Sequence, residues 1–309
     1  MIFIDRVHPI LFDLLEQAAY DCEWRDQLSR EEVLEQLPNY QGAVIRSKFK
    51  FDQSVFDAAP NLKWIARSGA GMENIDLKIA EQRGVRCFNS PEGNRDAVAE
   101  HCVGMLLSLF NRINIADREV RNKQWKREEN RGVELMGKTV GILGYGNMGE
   151  AFSKRLKGFG VKVIAYDKYK SGFDSELVKE VSLSELQQQS DVLSIHLPLT
   201  EETDGMIDRS FIQSFAKSFY LINTARGKNL LTKDLVEALQ SGKIKGACLD
   251  VLEYEHLSFE GLQTENLPQE FKTLIEMEQV IFSPHVAGWT DASYEKLSRV
   301  LAEKIIGSD

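Results

Sequence analysis

The sequence has only four cysteines, Cys22, Cys87, Cys102 and Cys248, and no two of them form a C-x-x-C pair. It has five histidines, none clustered at metal-ligand spacing. Neither a disulfide framework nor a metal site is therefore expected, and the thiols fit a reducing, cytoplasmic setting as small buried hydrophobes. Positive charge is also scarce: 38 Lys+Arg against 47 Asp+Glu leave a formal charge of −9. Such a surface has no long-range attraction for phosphate polymers or anionic membranes, so nucleic acid and membrane are not expected as partners. A local basic pocket for a small anion remains open. No apolar run approaches the roughly 20 residues of a membrane span. The opening MIFIDRVHPI places Asp5 and Arg6 where a signal peptide needs continuous apolar sequence. Seven prolines, no low-complexity tract and no internal repeat argue against long linkers. What the sequence does contain is 309 residues with 43% hydrophobic and 28% charged content, enough for two ordinary globular domains.

Short apolar strands alternate with amphipathic helices, which predicts an α/β protein with mostly parallel sheets. Strands are predicted at 1–4, 42–45 and 62–66, and a helix over 8–19 with Ile10, Leu11, Leu14, Leu15 and Ala18 on one face. The glycine-containing segment RSGAG (67–71) follows the third strand. Ligands of open α/β sheets bind at the carboxyl ends of strands, so this loop is a candidate site. A long helix over 96–116 is the natural bridge between domains. Its charged continuation, 117–131 around Trp125, reads either as a solvated helix and loop or as an arm on a second subunit. A second α/β series predicts strands at 139–143, 161–166, 191–197, 219–223, 244–251 and 279–283. Helices are predicted at 147–157 and 232–241, the latter capped by Thr232 and closed by Gly242. Residues 253–278 read as irregular and Glu-rich, a candidate cover for a site.

The motif GYGNMG (Gly144, Tyr145, Gly146, Asn147, Met148, Gly149) follows the apolar strand TVGIL and opens a helix. That context makes it a dinucleotide fingerprint: glycines for the tight turn, backbone approach and helix packing, and free helix N–H groups for a pyrophosphate. Asp167 ends the next strand, where a carboxylate accepts the adenosine ribose hydroxyls and repels a 2′-phosphate. NAD is favoured over NADP, although Lys168 and Lys170 weaken the preference. Further on, three strand ends deliver Arg226 in INTARG, Asp250 and Glu255 in LDVLEYE, and His285 in FSPHVAG. Reduction of a 2-keto acid needs this set. An arginine binds the carboxylate and polarises the keto oxygen, and a histidine donates a proton that an adjacent glutamate favours. Each residue alone also reads as a surface ion pair, a solvated acid or a structural histidine.

Together with RSGAGMENID (67–76), NSPEGNRDAVAEH (89–101), HLPLTEET (196–203) and SPHVAGWT (283–290), these motifs make the chain resemble the D-isomer-specific 2-hydroxyacid dehydrogenase family, especially its D-3-phosphoglycerate dehydrogenase-like members. The resemblance runs nearly the whole chain. It implies a Rossmann doubly wound domain (98–287) inserted into a flavodoxin-like α/β substrate domain (1–97 plus 288–309), with the chemistry in the cleft between them. It implies NAD as cofactor, Arg226 as substrate-orienting residue, His285 as proton donor and acceptor, and Glu255 as its partner. Backbone amides of Ser68, Gly69, Ala70 and Gly71 would hold the substrate carboxylate. His196, Pro198, Thr203, Thr224, Ala225 and Asp250 would lie along the nicotinamide side of the cofactor, with His196 also readable as structural. Asn89 and Asn94 would face the cleft, and His101 would serve packing or a hinge. Arg46 and Arg67, at strand ends, match arginines that meet a substrate phosphate, with Lys48 and Lys50 able to add to the field. The implied substrate is therefore a small anionic, 3-phosphoglycerate-like D-2-hydroxy acid. The alternatives are a glyoxylate or hydroxypyruvate reductase, and a non-catalytic NAD-sensing, corepressor-like protein. A homodimer through about 100–131 is implied as well. The chain departs from the family at His256, where proline is usual, and at Glu73, where aspartate is usual. Ending at Asp309, it is expected to lack a regulatory C-terminal domain.

Overall fold

Two all-parallel sheets run through residues 1–255 and 267–308, the part of the chain described by the computed structural model. The first contains β1 (Ile2–Phe3), β2 (Glu23–Trp24), β3 (Gly42–Ile45), β4 (Trp64–Arg67) and β5 (Arg86–Asn89), in the order β2-β1-β3-β4-β5. The second contains β6 (Thr139–Leu143), β7 (Lys162–Tyr166), β8 (Lys179–Glu180), β9 (Val192–Ile195), β10 (Phe219–Asn223), β11 (Ile244–Leu249) and β12 (Val280–Phe282), in the order β12-β11-β10-β9-β6-β7-β8. The first order is flavodoxin-like and the second extends the Rossmann order by one strand, as the α/β expectation required. Interior strands such as GAVI and VLSI are buried at every position because parallel sheets are covered on both faces.

The described residues divide into two compact units. One comprises Met1–Arg95 with 289–308, and the other 96–255 with 267–288. In the first, Phe3, Leu11 and Trp64 pack with Leu301 and Ile305 of the C-terminal helix Asp291–Ile306, while Ile45, Phe51, Phe56 and Ile65 fill the opposite face. In the second, Leu193, Ile207, Phe219 and Leu221 fill one face and Leu106, Phe110, Val140 and Phe152 the other. The helix Pro91–Phe110 carries the chain from one unit into the next.

Several elements differ from expectation. The strands β2, β5 and β8 were not predicted, and all three lie at sheet edges. Half-solvated and short, they lack the continuous apolar run that marks an interior strand. The helix expected over 96–116 begins earlier, at Pro91, whose fixed φ suits a first helical turn. It ends at Phe110, and Arg112 in the left-handed region (φ 52°) separates it from a second helix, Ile113–Arg121. Thr232 is the first residue of its helix rather than the cap. Leu231 occupies the cap position, and Glu253 supplies the missing acceptor, its Oε2 2.8 Å from the Thr232 amide. Gly242 does close that helix with φ 73°. In the stretch expected to be irregular, Gln269–Ile275 is helical because Phe271 and Leu274 bury one face. His256 lies outside the described residues.

Candidate active site

The GYGNMG loop leaves β6 at the point where strand order reverses, between β6 and β9. Gly146 is the N-cap of the helix Asn147–Arg155 and makes no side-chain cap, so the first-turn amides face outward from a bare backbone. A Cβ on Gly146 would meet nothing within 4 Å, whereas one on Gly149 would sit 2.2 Å from the Gly144 carbonyl. Gly146 keeps a cradle open for a phosphate and Gly149 lets the helix close on the strand, which fits a dinucleotide.

Asp167 braces this loop. Its Oδ2 accepts the Tyr145 amide at 2.7 Å, and its Oδ1 accepts the amides of Tyr169 and Lys170, each at 2.9 Å. An ionised carboxylate has about four acceptor positions, so one remains for a ribose hydroxyl. The two lysines beyond it are committed to protein partners. Lys168 pairs with Glu202, which also accepts the Tyr169 hydroxyl at 2.5 Å. Lys170 donates to the Tyr145 carbonyl at 3.2 Å and lies over the Tyr145 ring. The Lys168 ammonium holds the Glu202 carboxyl below its usual range, with the Tyr169 hydroxyl adding to the effect.

Residues expected along the nicotinamide side have local structural work. His196 is half-buried, its Nε2 is 2.9 Å from the Ser194 hydroxyl, and its ring lies 5.6 Å from Phe152. Burial pushes its pKa down to about 4, so the ring is neutral. Thr203 is buried and donates to the Pro198 carbonyl at 2.6 Å, building the turn after β9. Thr224 lies against the Cys102 thiol at 3.2 Å, and burial pushes that thiol up to about 12.

Arg226, Glu255 and His285 follow β10, β11 and β12, three neighbouring strands. The Arg226 turn is built by Asn223, fully buried, whose Nδ2 donates to the Arg226 carbonyl at 3.0 Å while its Oδ1 accepts the Ala225 amide at 3.1 Å. The next residue, Gly227, passes so near the following loop that a Cβ would sit 1.9 Å from the Leu252 carbonyl. Across that loop, Glu255 Oε2 lies 2.7 Å from His285 Nδ1, and its Oε1 accepts the Leu252 amide. His285 has a left-handed backbone, φ 55°. Asp250 is 1% exposed. Its Oδ1 accepts from the Ser283 hydroxyl and the Val286 amide, its Oδ2 from the Ala287 amide. Its carboxylate therefore faces the His285 loop.

The first unit contributes a separate cluster at the ends of β3, β4 and β5. The Ser68 amide bonds the Ile45 carbonyl at 2.8 Å, the Gly69 carbonyl accepts the Ser90 amide at 2.9 Å, and the Ala70 carbonyl accepts Asn89 Nδ2 at 2.6 Å. Arg67 is buried, with Nε donating to the Arg46 carbonyl at 3.1 Å, so it supports the loop from beneath. Asn74 donates to the same carbonyl at 3.0 Å, and Asp5 accepts the Arg46 amide at 2.5 Å. Burial raises the Asp5 carboxyl above its usual range despite those amides. The Arg46 guanidinium lies 4.1 Å from the Trp289 ring centroid. Lys48 is spent on the carbonyls of Asp26 and Leu28. Sequence reasoning assigned no role to Asn74, Asn223, Ser283 or Trp289. All four fell inside recognised motifs, Asn74 in RSGAGMENID, Asn223 in INTARG, and Ser283 and Trp289 in SPHVAGWT.

Residues 103–287 match the family model for the D-isomer specific 2-hydroxyacid dehydrogenase, NAD binding domain. A D-3-phosphoglycerate dehydrogenase of Archaeoglobus fulgidus is 35% identical over 296 residues, covering 95% of this chain and 54% of that protein. The chain thus spans about half the length of that relative. A hydroxypyruvate reductase of Thermotoga maritima is 34% identical over 280 residues, covering 91% of this chain and 88% of that protein. Among solved structures, the D-lactate dehydrogenase of Aquifex aeolicus, complexed with NAD and lactic acid, superposes with a TM-score of 0.82 at 27% identity, covering 98% of this chain and 93% of the other.

Proposed function

The chain belongs to the D-isomer-specific 2-hydroxyacid dehydrogenase family, and on that premise we propose that it interconverts a small D-2-hydroxy acid and its 2-keto acid. The observation that carries the proposal is the 2.7 Å contact of His285 Nδ1 with Glu255 Oε2, in the segments after β12 and β11, with β11 the neighbour of the strand that precedes Arg226. NAD(H), held by the GYGNMG backbone and Asp167, supplies or accepts the hydride when bound. With Nδ1 engaged by Glu255, His285 presents Nε2 to the substrate oxygen, giving it a proton in reduction and taking one in oxidation. Arg226 binds the carboxylate and polarises the keto oxygen. The amides of Gly69, Ala70 and Gly71 take the substrate carboxylate, a role that suits backbone N–H groups without a competing charge, whereas the Ser68 amide, expected to share it, is spent on the Ile45 carbonyl.

The substrate class we infer is a 2-hydroxy acid with a second anionic group, 3-phosphoglycerate-like, received by Arg46. Arg67 supports the loop instead, which leaves one arginine where two were expected. A second reading, hydroxypyruvate or glyoxylate, is favoured by the near-complete mutual coverage with the hydroxypyruvate reductase. The test is a panel of phosphohydroxypyruvate, hydroxypyruvate, glyoxylate and pyruvate with NADH and NADPH in parallel. Turnover of the phosphorylated acid that Arg46→Ala removes selectively supports the first substrate reading. Turnover of the small acids, indifferent to Arg46→Ala, supports the second. No turnover of any, with NADH bound, overturns the enzyme reading.

We also propose a cytoplasmic homodimer. Ile113, Val120 and Trp125, at 52%, 53% and 84% exposure, supply the apolar surface within the segment about 100–131. Light scattering at micromolar concentration tests it, and a monomer refutes it.

A further inference from the structure

We propose that Asp250, backed by Ser283 and His101, is the positioning group that holds His285 in its left-handed, Glu255-facing conformation. The inference rests on the reading of His285 as the proton donor, and assigns to Asp250 a task other than contact with the cofactor.

A histidine at φ 55° is strained, and such a residue persists only where its surroundings over-determine it. Here the surroundings are Leu249 and Asp250, at the end of the neighbouring strand. The Leu249 carbonyl accepts the Ser283 amide at 3.0 Å and the Asp250 carbonyl accepts the His285 amide at 2.7 Å. The Asp250 carboxylate accepts the Ser283 hydroxyl at 2.5 Å and the amides of Val286 and Ala287, each at 2.9 Å. Pro284 has no N–H to give. Every amide from Ser283 to Ala287 that can donate is therefore bonded to these two residues. The carboxylate receives bonds on both sides of His285, which fixes the backbone on which the imidazole is mounted.

Ser283 extends the network. Its hydroxyl has one proton, and the close contact with Asp250 takes it. His101 Nε2, 2.8 Å from the same oxygen, must then be the donor. A chain of donation runs from His101 on the helix Pro91–Phe110, through Ser283, to Asp250, and His101 lies 3.6 Å from that carboxylate oxygen. This gives His101 a defined tautomeric demand that packing alone does not impose.

The experiment uses the full-length protein with Asp250→Asn, Ser283→Ala, Ser283→Thr, His101→Gln and His101→Leu. Three quantities are read: amide hydrogen exchange over 283–287, the dissociation constant for NADH by fluorescence, and kcat and KM for the best keto acid. Asp250→Asn turns an acceptor toward the amides into a donor, and Ser283→Ala removes the bridge. In both, exchange is expected to accelerate about 10-fold or more. The kcat should fall about 10- to 100-fold, with KM and the NADH dissociation constant within about 3-fold of the parent. Ser283→Thr and His101→Gln, which keep a hydroxyl and a donor, should recover most of kcat relative to Ser283→Ala and His101→Leu. Unchanged exchange in Ser283→Ala and Asp250→Asn overturns the proposal. So does NADH affinity weakened more than about 10-fold while kcat at saturating NADH is kept, which would make Asp250 a cofactor contact. If Asp250→Asn fails to fold, Ser283→Ala decides. Exchange is read without turnover, so an inactive parent protein would count against the enzyme reading alone.

Discussion

His285 Nδ1 and Glu255 Oε2 are 2.7 Å apart although 30 residues separate them in sequence. They meet because β11 and β12 are parallel neighbours that release their chains at the same sheet edge. The contact orients the imidazole and engages one of its two ring nitrogens with the protein.

His285→Asn should lower kcat about 10²- to 10⁴-fold, the usual worth of a general acid–base group. Glu255→Gln keeps a hydrogen-bonding group of the same length but loses its charge, so its loss should be smaller, about 10- to 100-fold. Steady-state rates with saturating NADH measure both. Equal rates for Glu255→Gln and the parent would remove Glu255 from the mechanism.

Arg226→Lys keeps the positive charge but loses the planar fork that binds a carboxylate through two parallel bonds. The expected loss in kcat/KM is about 10²-fold, and Arg226→Ala should lose about 10³-fold. A lysine variant near parental activity would show that Arg226 acts only as a point charge.

Glu202 engages both Lys168 and Tyr169 beside Asp167. Glu202→Gln should release Lys168 toward a 2′-phosphate and strengthen NADPH binding by about 3- to 10-fold at low salt, with NADH little changed. Calorimetric titration of the two cofactors measures the ratio. No change in it would leave discrimination to Asp167 alone.

Stability should depend on pH through His196. Burial lowers its pKa from 6.5 to about 4 in the folded chain. Between those values the unfolded chain binds a proton that the folded chain does not, so stability falls as pH drops from 6.5 and this contribution levels off below 4. The expected loss is about 1–3 kcal/mol, the lower figure allowing for the ring's residual access to water. Denaturant midpoints from pH 7.5 to 4 measure it, and His196→Gln should flatten that part of the slope. An unaltered slope in the variant would assign the acid sensitivity to other groups.

Much of this molecule was legible in its sequence. Interior parallel strands are buried on both faces, so TVGIL, VLSI and GAVI announce themselves as short apolar runs. The glycine fingerprint, Asp167 and the order Arg226, Glu255, His285 were readable because backbone clearance and charge depend on residue type at fixed spacing. The edge strands Glu23–Trp24, Arg86–Asn89 and Lys179–Glu180 were not, since a half-solvated strand need not be apolar. Only the tertiary structure decided what each polar group is spent on. It turned Thr203 and His196 inward, committed Lys168 to Glu202, and put Arg67 beneath a loop in place of Arg46's partner. It also turned the Asp250 carboxylate onto the His285 loop. A hydrogen bond is a relation between two positions, and a one-dimensional pattern records the donor without saying which acceptor the fold will bring within 3 Å.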